Sequence, residues 1–171
     1  GGRLLIGPRG ADPGTRHHYR QLSRFSAAFA LTADAAMLTL GGALKRRERL
    51  SARLGDVLSY LYLASAALKR FEDDGRPTAD RPLLDWVMAE SLHVMQQRLD
   101  EVLVNFPSRA LGTVLRPLIF PRGRRHRAPS DALGSQVAHI LMHPGEARGR
   151  LIRGIYTSDD ADDAVGSVER A

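Results

Sequence analysis

The chain has 171 residues, no cysteine, and a formal charge of +6 that comes from 23 arginines and two lysines against 19 carboxylates. That length suits one domain with enough core to fold independently, and the lack of cysteine excludes disulfide and thiolate chemistry and agrees with a reducing, cytoplasmic setting. No run approaches the roughly 20 uninterrupted apolar residues that predict a transmembrane segment, no apolar stretch with a small-residue cleavage site opens the chain, and the arginine excess favours phosphates, acidic lipid headgroups or an acidic protein as partners.

Residues 1–14 hold five glycines and two prolines and read as a flexible lead-in. A first helix is predicted over about 15–40, with Leu22, Phe29, Ala33, Ala36 and Leu40 at helical spacing and Phe25 and Met37 beside them. Gly41 and Gly42 end it or bend it sharply. The second helix, over about 44–74, has the most regular pattern in the chain. Leu50, Leu54, Val57, Leu61, Ala64, Leu68 and Phe71 alternate spacings of four and three, a heptad stripe that keeps one face against a partner. Ala52, Gly55, Ser59 and Ala66 form a second stripe, of small residues that let another helix come close, so this element reads as the centre of a bundle, contacted on two faces.

Gly75, Arg76 and Pro77 terminate the second helix. Thr78 or Asp80 caps a third, with Pro82 in its first turn. That helix carries Leu84, Met88, Ser91, Met95, Leu99, Val102 and Phe106 along one face and stops before Pro107. Short connections make consecutive helices antiparallel neighbours. Beyond Pro107 the pattern is rougher: a brief helix over 108–115, interruptions at Pro117 and Pro121, a solvated RGRRHR loop, a helix from Ser130 and Asp131 to about Met142, and a last one over 145–153. The tail from 157 to 171 is acidic and reads as flexible. No strand pattern competes. The predicted fold is all-α, an up-down helical bundle of three long helices plus shorter C-terminal helices, spanning 15–156.

Lys45, Arg46, Arg47, Arg49 and Arg53 form a basic cluster able to clasp a phosphate or carboxylate. Glu48 and Asp56 lie close by on the same helix, so local or domain–domain ion pairs are the favoured expectation. Arg122, Arg124, Arg125 and Arg127, next to the apolar stretch 115–120, could rest on anionic lipid, but that stretch is too short and proline-broken for an amphipathic helix. The favoured expectation is that Leu118, Ile119 and Phe120 are buried and the arginines merely solvated. No aromatic residue interleaves this basic run, which argues against nucleic acid. His139 and His143 are one helical turn apart, but nothing at a matching offset completes a metal site. His17, His18 and His126 read as exposed, and His93 as a helix-face residue.

The strings LGGALKRRERLSARLGDVLSYLYLASAALKR, DRPLLDWVMAESL, NFPSRALGTVLRPLIFPRGRRHRAPSDALGSQVAHIL and RGRLIRGIY together cover nearly all of 17–156. They resemble the C-terminal extension of the long bacterial acyl-CoA dehydrogenases that begin fatty-acid β-oxidation. The resemblance implies a parent flavoprotein with an upstream dehydrogenase core, which uses FAD to oxidise long-chain acyl-CoA to trans-2-enoyl-CoA and passes electrons to an electron-transfer flavoprotein. It also implies a possible homodimer and peripheral membrane contact. The family's glutamate base has no counterpart among Glu48, Glu72, Glu90, Glu101, Glu146 and Glu169, so no catalytic residue is assigned. Gly41 and Gly42 resemble the glycine pair that contacts the flavin in the dehydrogenase core, but Leu38 stands where a glutamine would supply amide hydrogen bonds, and Ala43, Leu44 and Lys45 replace the usual sequel. The pair therefore reads as a helix terminus, and no cofactor is expected in this chain. The competing expectation is a stand-alone basic module that binds an acidic partner or nucleic acid.

Overall fold

The computed structural model of the chain describes residues 12–156. Helix α1 spans Pro13–Leu40. It starts two residues ahead of expectation because Asp12 Oδ1 accepts the Gly14 N–H at 2.7 Å and Pro13, which has no N–H to satisfy, occupies the first turn. The rest of the expected lead-in and the acidic tail lie outside the described residues. Gly41, at φ +50°, ends α1 by turning its N–H onto the Met37 carbonyl. A 3₁₀ turn, Gly41–Arg46, rounds the corner into α2, Glu48–Asp73. The predicted start near 44 fails here because the adjacent glycines disfavour α-helix and a tighter coil makes the turn.

Gly75 and Arg76, at φ +81° and +61°, close α2, and Arg76 N–H bonds the Phe71 carbonyl at 2.9 Å. A non-glycine residue is strained in that region; Arg76 is held there by Glu72 at 2.5 Å and Asp12 at 3.4 Å. After a short 3₁₀ turn, Thr78–Asp80, come α3 (Arg81–Val104), α4 (Arg109–Ile119), α5 (Asp131–Met142) and α6 (Glu146–Leu151). No strand occurs among the described residues, and the fold is all-α. Neither Thr78 nor Asp80 caps α3 through its side chain. The Asp80 carboxylate instead receives a two-pronged contact from Arg150, at 2.6 Å to Nη2 and 3.0 Å to Nε, which pins α6 to the start of α3.

The α2–α3 pair is the most extensive packing contact, and α1 lies against both. Every residue of the predicted α2 and α3 stripes is buried, and Val57, Leu68, Met88, Met95, Leu99 and Val102 are almost wholly so. Each such side chain contributes roughly 1.5–3 kcal/mol by leaving water. Two expectations need correction. On α1 the expected Leu22, Phe25 and Ala36 are buried and Phe29 and Leu40 pack against the core, but Met37 is exposed and Thr15, His18 and Thr32 complete the buried stripe. Thr15 donates to Glu72 of α2 and Thr32 to the Ala28 carbonyl, so two hydroxyls enter the core with their bonds satisfied. The small stripe of α2 faces solvent: Ala52, Gly55, Ser59 and Ala66 are all exposed. Among the described residues α2 is covered on one side only.

Pro117 lies inside α4 and does not interrupt it, because it falls in the last turn and removes a single bond. Gly112 sets the distance between α4 and the end of α3: a β-carbon there would stand 2.6 Å from the Leu103 carbonyl oxygen. One segment, Pro13–Arg46, is long and apolar enough by length and composition to cross a membrane, with a mean hydropathy of 1.5 in its most apolar window, of which 17% is buried. It is not an uninterrupted apolar run, because Thr32, Asp34, Thr39, Gly41 and Gly42 break it. The stripe that α1 turns toward α2 and α3 makes it a bundle element in this fold.

Candidate functional site

Charge is distributed unevenly over the bundle. At the α2–α3 seam, Arg53 Nε donates to Glu101 Oε2 at 2.9 Å, and Arg98 on α3 reaches back to Asp56 on α2 at 2.9 Å, an ion pair lying off the N–H direction. Burial would raise the Glu101 carboxyl, but hydrogen bonds from Arg53 and Arg98 hold it below its ordinary value. Arg53 therefore pairs across helices and not with Asp56 on its own helix, because the i, i+3 neighbours both point to α3.

The other members of that cluster separate from it. Lys45, Arg46, Arg47 and Arg49 stand exposed at the corner between α1 and α2, and no ion pair to them is formed among the described residues. Gly41 and Gly42 sit at the same corner with open space around both α-carbons, and Leu38 is 89% exposed. They form a helix terminus.

The RGRRHR segment is not simply solvated. Asp100, buried on α3, accepts from Arg116 of α4 and from Arg124 at 2.7 Å. One turn earlier on the same face, Gln96 makes a reciprocal pair with the backbone of His126: Nε2 donates to its carbonyl at 2.8 Å and Oε1 accepts its N–H at 3.0 Å. His93 Nδ1 lies 3.1 Å from that carbonyl. The His126 ring meets Phe25 of α1 edge-on, centroids 5.2 Å apart, and burial together with the nearby Arg24 charge lowers its pKa. His126 is thus half-buried, contrary to expectation.

These clamps fix one wall of a pocket of about 430 Å³ between α1, α3 and the end of α4. Phe25, Leu99, Ile119 and Phe120 line it with apolar surface, and Arg24, Arg122 and Arg125 bring charge to it. Sequence reasoning missed it: Arg24 lies in the first helix, far along the chain from the basic runs at 45–53 and 122–127, and only the four-residue spacing of Gln96 and Asp100 on α3 hints that two polar side chains share a face.

His18 is buried, also contrary to expectation. Burial, with its neighbour His17, lowers its pKa to about 4, although Asp85 lies 3.7 Å from Nε2. His139 and His143 stack with centroids 4.0 Å apart, and no group of three metal-ligating side chains occurs among the described residues.

Helix α5 is placed by its Ser130 cap, whose Oγ accepts the Leu133 N–H, and by packing on α3 and α6. It carries Leu133, Val137, Ile140, Leu141 and Met142, yet none of its residues is buried, and Met142 is 75% exposed. On α4, Ile119 is buried within the bundle while Leu118 points outward at 63% exposure. Leu133, Val137 and Ile140 are half-buried by the packing of α5 on α3 and α6, which leaves Leu141 and Met142 as an uncovered apolar pair at the end of α5.

No solved structure matches the chain. A family model described as acyl-CoA dehydrogenase, C-terminal, bacterial type, matches residues 1–171, the whole chain. The chain belongs to the bacterial-type C-terminal domain family of the acyl-CoA dehydrogenases.

Proposed function

We propose that this bundle is a non-catalytic docking domain, which packs on the dehydrogenase core of a long-chain acyl-CoA dehydrogenase and stabilises that subunit or its contact with a second one. The parent reaction in this reading is FAD-dependent oxidation of long-chain acyl-CoA to trans-2-enoyl-CoA, with an electron-transfer flavoprotein as acceptor, in the cytoplasm at or near the membrane. Family membership supports the parent. The docking role rests on the end of α5, where Leu141 and Met142 are exposed side by side and suit an apolar cover, and a dehydrogenase core is the partner that the family implies. The pairing of the charged side chains at the α2–α3 seam within the bundle supports the non-catalytic reading.

The test mixes the chain with a separately expressed dehydrogenase core and follows sedimentation velocity. A stable complex is expected that resists added salt and is lost when Leu141 and Met142 are both changed to aspartate. The chain alone is expected to show no flavin absorbance. Absence of a complex would remove the docking role, and stoichiometric flavin in the chain would overturn the reading of Gly41 and Gly42.

One observation favours a second reading. Four exposed cations at positions 45–49 without carboxylate partners suit an acidic partner or nucleic acid. Such binding weakens steeply with salt, so the same titration separates the two readings.

A further inference from the structure

We propose that the pocket between α1, α3 and α4 binds an aliphatic ligand with an anionic head, its chain lying on Phe25, Leu99, Ile119 and Phe120 and its head held by Arg24, Arg122 and Arg125. The pocket's volume of about 430 Å³ falls within the roughly 300–1,000 Å³ of small-molecule sites. Three features specify the ligand class.

The first is uncompensated charge. No carboxylate lines the pocket, and none pairs with Arg24, Arg122 or Arg125 among the described residues. Elsewhere in the bundle buried carboxylates attract arginines: Asp100 takes Arg116 and Arg124, and Asp80 takes Arg150. The 121–126 turn sorts its arginines, sending Arg124 to Asp100 and leaving Arg122 and Arg125 at the pocket. Guanidinium forks bind carboxylate or phosphate bidentately.

The second is the apolar wall. Inorganic anions gain nothing from Phe25, Leu99, Ile119 and Phe120, whereas each methylene of an aliphatic chain that leaves water there adds affinity. The third is preorganisation. The Gln96–His126 pair and the His126–Phe25 ring contact fix the wall, and Arg125 Nε donates to the Arg122 carbonyl at 2.9 Å, which sets the turn. Gly123, at φ +72°, makes that turn possible. None of these features depends on the dehydrogenase reading.

The test is calorimetric titration of the chain with decanoate, decyl phosphate, decanol and inorganic phosphate, below micelle-forming concentrations. Decanoate and decyl phosphate are expected to bind, and the tighter of the two identifies a free carboxylate or a phosphate ester as the natural head. Decanol and inorganic phosphate are expected to bind at least about tenfold more weakly. R24Q/R122Q/R125Q should lose about tenfold or more for both anionic amphiphiles, while R46Q/R47Q/R49Q, which removes the same charge from the distant corner, should not. Ala28→Phe fills the recess without altering charge and should also abolish binding, with circular dichroism confirming the fold. The three pocket arginines are solvent-exposed, so their replacement tests the proposal even if Ala28→Phe fails to fold. No binding of either amphiphile, unchanged affinity in R24Q/R122Q/R125Q, or inorganic phosphate as tight as decanoate would each overturn it.

Discussion

The α2–α3 seam and the junction between α3 and the 120–127 turn are held by different chemistry. The seam is two long aliphatic stripes meshed along their length, with the Arg53–Glu101 and Arg98–Asp56 pairs at one margin. The junction is a set of discrete polar ties, Asp100 to two arginines and Gln96 to a backbone, around one close approach at Gly112. Burial is non-directional and scales with area, so the seam tolerates variation in detail. The junction depends on individual atoms being in place, and it is the junction that shapes the pocket.

Truncation in the seam, unlike a volume-conserving swap, loses buried area and leaves a cavity, so it should cost most. Leu68→Ala removes a fully buried side chain and should destabilise by about 2–5 kcal/mol in chemical denaturation. A loss below about 0.5 kcal/mol, the ordinary surface range, would show that the seam is not the principal core.

His18 gives the seam's α1 flank a pH signature. Its folded pKa of about 4 lies below the ordinary 6.5, so the unfolded chain binds the proton more readily. Stability is complete above about pH 6.5, declines as pH falls toward 4, and stays at the lower value beneath that, a difference of roughly 3 kcal/mol. His18→Leu should flatten this part of the profile, and a profile unchanged by the substitution would rule His18 out as its source.

At the junction, Gly112→Ala forces a β-carbon onto the Leu103 carbonyl and should cost about 1–3 kcal/mol. Asp100→Asn removes the charge from two ion pairs whose arginines are themselves well exposed, so about 1–2 kcal/mol is expected. Its more telling effect is local: amide exchange in 121–127 should accelerate while α2 stays protected. Uniform acceleration throughout would make the junction part of the same cooperative unit as the seam.

The smallest effect sharpens the contrast between the two sides of α2. Gly55 has open space around it, so Gly55→Ala should stabilise the chain by about 0.5–1 kcal/mol through helix propensity. If the same change destabilises the protein when the dehydrogenase core is bound, the small stripe is covered in the assembly, as its composition first suggested.

The α2 and α3 stripes were legible residue by residue because leucine, valine and methionine at heptad spacing have only one comfortable environment. The helix ends at Gly41 and Gly75 were legible too, since few other residues turn a chain there. The α1 stripe was legible only at Leu22, Phe25 and Ala36. Its buried positions include Thr15, His18 and Thr32, which a reading by hydrophobicity passes over, and they enter the core only because Glu72 of α2 and the Ala28 carbonyl take the two hydroxyls. The basic residues were visible as clusters but not as separate fates. Arg53 and Arg124 are drawn to Glu101 and Asp100, carboxylates 48 and 24 positions away, while Arg46, Arg47 and Arg49 remain unpaired beside the first of them. Local spacing determines which face of a helix is apolar. Which carboxylate a guanidinium meets is decided by helices crossing in space, and the pocket that Arg24, Arg122 and Arg125 share exists only after that crossing.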